Sequence, residues 1–254
     1  MSALLEAAQL RVAVPGRTLI DSFDCTIRAG EFIALLGGNG AGKSLLLRTL
    51  AGLRAPAAGV VRIDGRDIAA VGRREIAMRL GFLPQDPDAT PHGSLQESVL
   101  LGRFAHLGFW EVAGAADAQR VTRALADVGL EALAGRELGT LSGGEQRRAS
   151  IARLLVQSPS IYLLDEPTNH LDPAQQIGIL DNLRRLTRDG AAVIASLHEP
   201  NLALRYADRA CLLSGNGAGE LVDCAALGTT HLERLYGIRY VETSLGQQRF
   251  MAPG

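Results

Sequence analysis

Over residues 1 to about 80, the chain alternates short apolar runs with turn signals, the pattern of strands joined by tight connections. Within this stretch residues 31–36, Glu31-Phe32-Ile33-Ala34-Leu35-Leu36, form an apolar run of strand length. Residues 44–51 have the leucine-rich composition of a buried helix. From about residue 86 to 157 the spacing turns helical, most clearly over residues 117–128. Residues 160–164 and 191–196 return to short apolar strands, and strand and helix patterns alternate up to Ser214, as a parallel sheet requires. Gly215-Asn216-Gly217 reads as a turn, with no element assigned beyond it. The fold class expected from the pattern is α/β. Neither an internal repeat nor a sustained heptad pattern is present.

Composition narrows the class of function. The 254 residues suffice for one generous domain or two modest lobes. With 26 basic and 27 acidic side chains the net charge is −1, which gives no bulk attraction to nucleic acid or an anionic membrane. No apolar run approaches the roughly 18–20 residues of a membrane span. The first residues lack the basic leader and apolar stretch of a secretory signal. Cys25, Cys211 and Cys224 have no metal-ligand spacing and are odd in number, so they are expected to be buried and reduced. A secreted or membrane-spanning chain is not expected. One count stands out: 25 of the basic residues are Arg and one, Lys43, is Lys. A chain that uses Arg elsewhere and Lys once points to a position where a guanidinium does not fit.

The surroundings of Lys43 supply the reason. Gly37-Gly38-Asn39-Gly40-Ala41-Gly42-Lys43-Ser44 matches G-x-x-x-x-G-K-[ST], between an apolar strand and a helix. Such a loop aims backbone N–H groups and a helix N-terminus at one anion. Glycines let the backbone approach phosphate oxygens, the Lys43 ammonium reaches the β- and γ-phosphates, and the Ser44 hydroxyl serves Mg²⁺. A second chemical element follows at residues 160–166, an apolar strand ending in Asp165 and Glu166. Ligands gather at the carboxyl ends of parallel strands, so both acids are expected near the glycine loop. Neighbouring strand residues point oppositely, which separates their roles. Asp165 is assigned to Mg²⁺ orientation and Glu166 to polarising the attacking water.

A third motif is Leu141-Ser142-Gly143-Gly144-Glu145-Gln146, directly before an amphipathic helix. Ser142 caps that helix, while Gly143 and Gly144 bare its first amides as a second anion-binding element. This stretch resembles the signature of ATP-binding cassette (ABC) proteins, and further matches follow the family's order along most of the chain. Gln85, in Leu83-Pro84-Gln85-Asp86, stands at the family's glutamine loop, which senses Mg²⁺ and the membrane partner. Asn169-His170-Leu171-Asp172 matches the loop that crosses the dimer. His198, after the strand at residues 191–196, matches the switch histidine near the γ-phosphate.

The resemblance implies a P-loop NTPase (RecA-like) core with a mainly parallel sheet, an N-terminal antiparallel β region and an inserted helical lobe. The core would comprise residues 1–85 and 158–254 of one domain, and the lobe residues 86–157. It also implies ATP and Mg²⁺ as ligands and a head-to-tail dimer of two copies. Each ATP would then lie between residues 37–44 of one copy and Ser142, Gly143 and Gly144 of the other. Permease subunits would hold the chain at the cytoplasmic face of the inner membrane, with a substrate-binding protein acting indirectly. Departures from the family are Gly38 for a frequent Pro, Leu45 for a frequent Thr, and no aromatic residue over residues 10–17 to stack on adenine. Val14 or a neighbour is left to supply an apolar contact.

Residues 99–108 and 198–209, with Leu235-Tyr236-Gly237-Ile238, resemble the ATPases of iron-siderophore, haem and cobalamin importers. An iron chelate, haem or siderophore, is the favoured cargo. A cobalamin importer and a soluble non-transport ATPase are the alternatives. Phe104, Phe109 and Trp110 concentrate aromatic character in the expected helical lobe, between Gln85 and Ser142, and with the loop after Gln85 are read as a docking surface for a membrane partner. Arg73-Arg74, Arg147-Arg148 and Arg184-Arg185 are read as solvated faces.

Overall fold

The computed structural model describes residues 3–85, 93–108, 110–246 and 248–254. The loop after Gln85 and Phe109, both assigned above to a docking surface, lie outside the described residues. Chain order begins β1 (Ala3–Val14), β2 (Arg17–Arg28), β3 (Phe32–Gly37), α1 (Lys43–Leu50), β4 (Ala58–Ile63), β5 (Arg66–Asp67), α2 (Arg73–Arg79) and β6 (Leu80–Leu83). Helices α3 (Leu95–Leu100), α4 (Ala115–Asp127) and α5 (Gly143–Gln157) follow. The alternation then resumes with β7 (Ile161–Leu164), α6 (Pro173–Arg188), β8 (Ala192–Ser196), α7 (Pro200–Tyr206) and β9 (Arg209–Leu213). The chain closes with β10 (Gly219–Asp223), α8 (Thr229–Tyr236), β11 (Tyr240–Leu245) and β12 (Gln248–Pro253).

The main sheet has six strands in the order β10-β9-β3-β8-β7-β6. Its neighbours run parallel from β9 to β6, and only β10 pairs antiparallel, on β9. Both faces are covered, so the strands read as continuous apolar runs whose side chains divide by period two. Phe32, Ala34 and Leu36 of β3 enter one core with Tyr162 and Leu164 of β7 and the helices α4, α5 and α6. Ile33 and Leu35 enter the opposite core with Ile161 and Leu163, α1 and the N-terminal sheet. That second sheet, in the order β2-β1-β4-β5, is antiparallel throughout.

Helices α3, α4 and α5 pack on one another beside the β6 edge. Two begin with reciprocal capping. Ser94 Oγ accepts from the Glu97 N–H while Glu97 reaches back to Ser94, and Ser142 and Glu145 do the same for α5. The segment after α3 is held down at several points. Arg103 Nε donates to Asp117 Oδ1 at 2.8 Å, His106 Nε2 lies 2.8 Å from the Gln157 carbonyl, and Gly102 lies so close to α5 that a Cβ there would sit 2.2 Å from the Arg153 oxygen.

The residues after the turn at 215–217 are ordered into β10, α8 and a terminal hairpin, where the sequence pattern assigns nothing. Asn201 in α7 holds that hairpin by its amide, donating to the Met251 carbonyl at 3.0 Å and accepting the Met251 N–H at 2.8 Å. The paired arginines are not simple solvated faces. Arg74 donates to the carbonyls of Ala105 and Leu107, Arg148 to those of Val128 and Gly129, and Arg184 to both oxygens of Asp208. Arg147 is 6% exposed. Guanidinium groups satisfy chain ends that charge counting along a sequence does not see. All three cysteines are buried and unpaired; burial pushes the thiols of Cys25 and Cys224 up to about 11 and about 12.

Candidate active site

Strands β3, β8, β7 and β6 are successive neighbours and all run the same way, so their carboxyl ends form one rim. Each end delivers a different group: residues 37–44 after β3, His198 after β8, Asp165 and Glu166 after β7, and Gln85 after β6. Between them lies a cleft of about 480 Å³ lined by Leu19, Asn39, Gly40, Ala41, Gly42, Lys43, Ser44, Leu45, Gln85, Glu166 and His198.

The loop after β3 is built for a close anion. Gly37 passes against β9, where a Cβ would sit 2.5 Å from the Leu213 carbonyl. Gly42 takes a φ of 101°, a left-handed conformation that other residues rarely adopt, and stands as the N-cap of α1 with no side chain to cap it. The first amides of α1 are therefore left to whatever occupies the cleft. Lys43 is 7% exposed, and its Nζ donates to the carbonyls of Gly37 at 2.7 Å and Gly38 at 3.2 Å. Burial lowers its pKa, while the carboxylates of Glu166 and Asp165 act in the opposite sense.

The two acids diverge as expected from the sequence, though for a different reason. Strand β7 ends at Leu164, and Glu166 turns away in a left-handed conformation with φ 49°. Its Oε1 lies 2.7 Å from His198 Nε2, and its Oε2 accepts from Gln85 Nε2 at 3.1 Å and Asn169 Nδ2 at 3.2 Å. Asp165, 2% exposed, accepts instead from Ser196 Oγ at 2.8 Å, behind the cleft wall rather than in it. The same Ser196 Oγ accepts the Glu166 N–H at 2.7 Å, so one hydroxyl orders both acids.

Ser142, Gly143, Gly144 and Asp172 do not line the cleft. Asp172 caps α6, accepting the Gln175 N–H at 2.9 Å, and Gly144 lies near the His170 carbonyl. Toward the N-terminal sheet the apolar wall is Leu19, not Val14. Sequence reasoning also passed over Asn169 as a partner of Glu166, Ser196 as its backbone anchor and Arg147 behind both. Ser196 has a legible signal, a lone hydroxyl closing an otherwise apolar strand beside the acid pair.

Residues 20–169 match the ABC transporter family, more than half of the chain. The chain is 40% identical over 263 residues to the hemin import ATP-binding protein HmuV of Rhodopseudomonas palustris, covering 100% of this chain and 96% of that protein. Identity with the ferric enterobactin transport ATP-binding protein FepC of Escherichia coli is 38% over 243 residues, covering 93% and 88% of the two chains. Among solved structures, a chain of a transporter described as metal-chelate type, in an inward-facing conformation, superposes with a TM-score of 0.84. Its identity is 26%, with 100% of this chain and 98% of that one covered. Strand-end geometry, ordered motifs and full-length similarity agree: the chain belongs to the ABC transporter family.

Proposed function

We propose that this chain is the ATP-hydrolysing subunit of an importer for an iron chelate, haem or a siderophore complex. The observation that carries the hydrolytic part is Glu166, whose carboxylate meets His198 and Gln85 at the mouth of the uncapped α1 N-terminus. The cargo class is supported by full-length likeness to proteins named for hemin import and ferric enterobactin transport.

Residues 37–44 hold the triphosphate through the loop and α1 amides, and Lys43 exchanges the Gly37 and Gly38 carbonyls for phosphate oxygens. The donor set fits Mg²⁺ as well: the Ser44 hydroxyl and Gln85 amide both face the cleft, with Asp165 behind. When bound, Mg²⁺ would neutralise charge on the β- and γ-phosphates. Glu166 accepts a proton from the attacking water, and His198 holds the Glu166 carboxylate toward the γ-phosphate. Residues Ser142, Gly143 and Gly144 lie away from the cleft of their own chain, which suits them to close the site of a second copy, with Asp172 at the crossing.

Toward the membrane, Leu101, Phe104, Trp110 and Val112 are exposed, Phe104 by 79% and Trp110 by 90%. The contacts of Gly102, Arg103 and His106 hold the segment beneath them rigid, a suitable base for an apolar docking surface on a permease. No helix among the described residues is long and apolar enough to cross a membrane. The chain is placed by this reading at the cytoplasmic face of the inner membrane, with a substrate-binding protein delivering cargo on the other side.

Affinity purification of the tagged chain from mild-detergent membrane extracts, with mass spectrometry and an absorption spectrum, tests the proposal. A polytopic membrane protein at equal stoichiometry and a haem or ferric-chelate band on cargo loading are expected. A corrinoid band would reassign the cargo to cobalamin. Recovery with ribosomes, DNA or itself alone would overturn the importer reading.

A further inference from the structure

Arg147 lies one turn into α5, and its guanidinium reaches past the helical segment to the ends of two strands. Nη1 donates to the carbonyls of Pro84 at 2.6 Å and Gln85 at 3.0 Å, just beyond β6. Nη2 donates to the carbonyls of Asp165 and Glu166, the latter at 2.7 Å, just beyond β7. Each nitrogen therefore serves one of the two loops whose side chains, Gln85 and Glu166, meet 3.1 Å apart in the cleft. The planar fork of Arg matches two adjacent chain ends in a way that a single ammonium does not. At 6% exposure Arg147 is buried, and so are its contacts with the Asp165 and Glu166 carbonyls, which gives that side of the arrangement little freedom to relax.

Two consequences follow from this placement. Glu166 holds a left-handed backbone conformation, and such conformations persist only where surrounding contacts over-determine them. Its N–H is fixed by Ser196 on one side and its carbonyl by Arg147 on the other. In addition, Arg147 sits on the helix that opens with Ser142, Gly143 and Gly144, so a displacement of that helix pulls on both loops.

We propose that Arg147 is a positioning residue for hydrolysis: it clamps the Gln85 and Glu166 loops in register and ties that register to the helix bearing Ser142. The proposal rests on Glu166 acting as the base. A misplacement of about 1 Å at a reacting group can cost about 10²-fold in rate, with little effect on binding remote from it.

The experiment is a double-mutant cycle on the full chain, combining Arg147→Lys or Arg147→Gln with Glu166→Gln. Phosphate release at saturating MgATP, KM, ADP affinity by calorimetry and thermal unfolding are measured for each protein. Alone, Arg147→Lys is expected to lower kcat by about 10- to 100-fold while KM and ADP affinity stay within about twofold. In the Glu166→Gln background the same substitution is expected to change the residual rate by less than about twofold, because the group it positions is already gone. Equal losses in both backgrounds, or ADP affinity falling in step with kcat, would assign Arg147 a general structural role and overturn the proposal. Failure of both Arg147 variants to fold would overturn it too. Parental rates for both, beside a slow Glu166→Gln, would reject this positioning role alone; an unimpaired Glu166→Gln would reject the base itself.

Discussion

Glu166→Gln isolates chemistry from architecture at this site. In the parent, Oε2 accepts from Gln85 and Asn169, and Oε1 faces His198 Nε2 at 2.7 Å. A glutamine side chain is nearly isosteric. Its carbonyl oxygen can keep both amide donors, and its NH₂ can face His198 once the imidazole adopts the tautomer that accepts at Nε2. The hydrogen bonds survive in number, so folding and nucleotide binding are expected to persist. Removing a negative charge beside the phosphates also weakens repulsion, so ATP affinity is expected to equal or exceed that of the parent. What disappears is the proton acceptor. General-base catalysis contributes about 10²–10⁴-fold, a barrier increase of about 2.7–5.4 kcal/mol. Phosphate release at saturating MgATP should fall by that factor, and light scattering should show an ATP-stabilised dimer absent with ADP. Turnover within about threefold of the parent, with ATP binding intact, would remove Glu166 from the mechanism.

Other expectations probe separate links. Lys43→Ala should weaken ATP binding by roughly 10- to 100-fold by calorimetry, the worth of a charge-assisted contact, and an unchanged affinity would contradict its assigned role. Lys43→Arg keeps the charge in a space now bounded by the Gly37 and Gly38 carbonyls, and should recover only part of that affinity. Gly102→Ala places a methyl 2.2 Å from the Arg153 oxygen and should cost about 1–3 kcal/mol, read as a melting temperature lower by about 2–4 °C per kcal/mol, with ADP affinity preserved. Trp110→Ala should weaken capture of the membrane partner while leaving nucleotide affinity intact; loss of both, or of neither, would count against the docking surface. The Gly114 N–H and the Arg103 guanidinium hold the Asp117 carboxyl below the usual carboxylate range. Its stabilising effect is thus complete above the unfolded-state value and lost as pH falls through the lower folded value. Far-UV circular dichroism of Asp117→Asn against the parent should accordingly converge only at strongly acidic pH.

Legibility from sequence tracked how local the cause was. The loop at 37–44, the capping Ser142 and the strands at 160–164 and 191–196 are set by neighbours in the chain, and the structure has them within a residue or so of the expected places. Arg147 was hidden because its partners, at residues 84–85 and 165–166, are brought to it only by the sheet order β7-β6 and the packing of α5. The same holds for Leu19, which enters the cleft because β2 folds over Gly42. Beyond residue 217 the short elements depend on distant anchors, Asn201 for the terminal hairpin and Arg249 for the Ala225 and Leu227 carbonyls. Glu166 taught a finer lesson: strand alternation foresaw divergent acids, while a left-handed turn produced them.

The solitary lysine has a practical corollary in protein chemistry. Apart from the terminal amine, Lys43 bears the chain's one primary amine, and burial shifts it toward the neutral, nucleophilic form. Among side chains, amine-directed acylation is thereby confined to the floor of the phosphate loop, leaving the guanidinium groups of the other 25 basic residues untouched. An acyl phosphate carried on a nucleotide would be delivered to that nitrogen, and unlabelled nucleotide would shield it. The extent of acylation then becomes a direct occupancy meter for the site, usable in crude membranes without any engineered reporter.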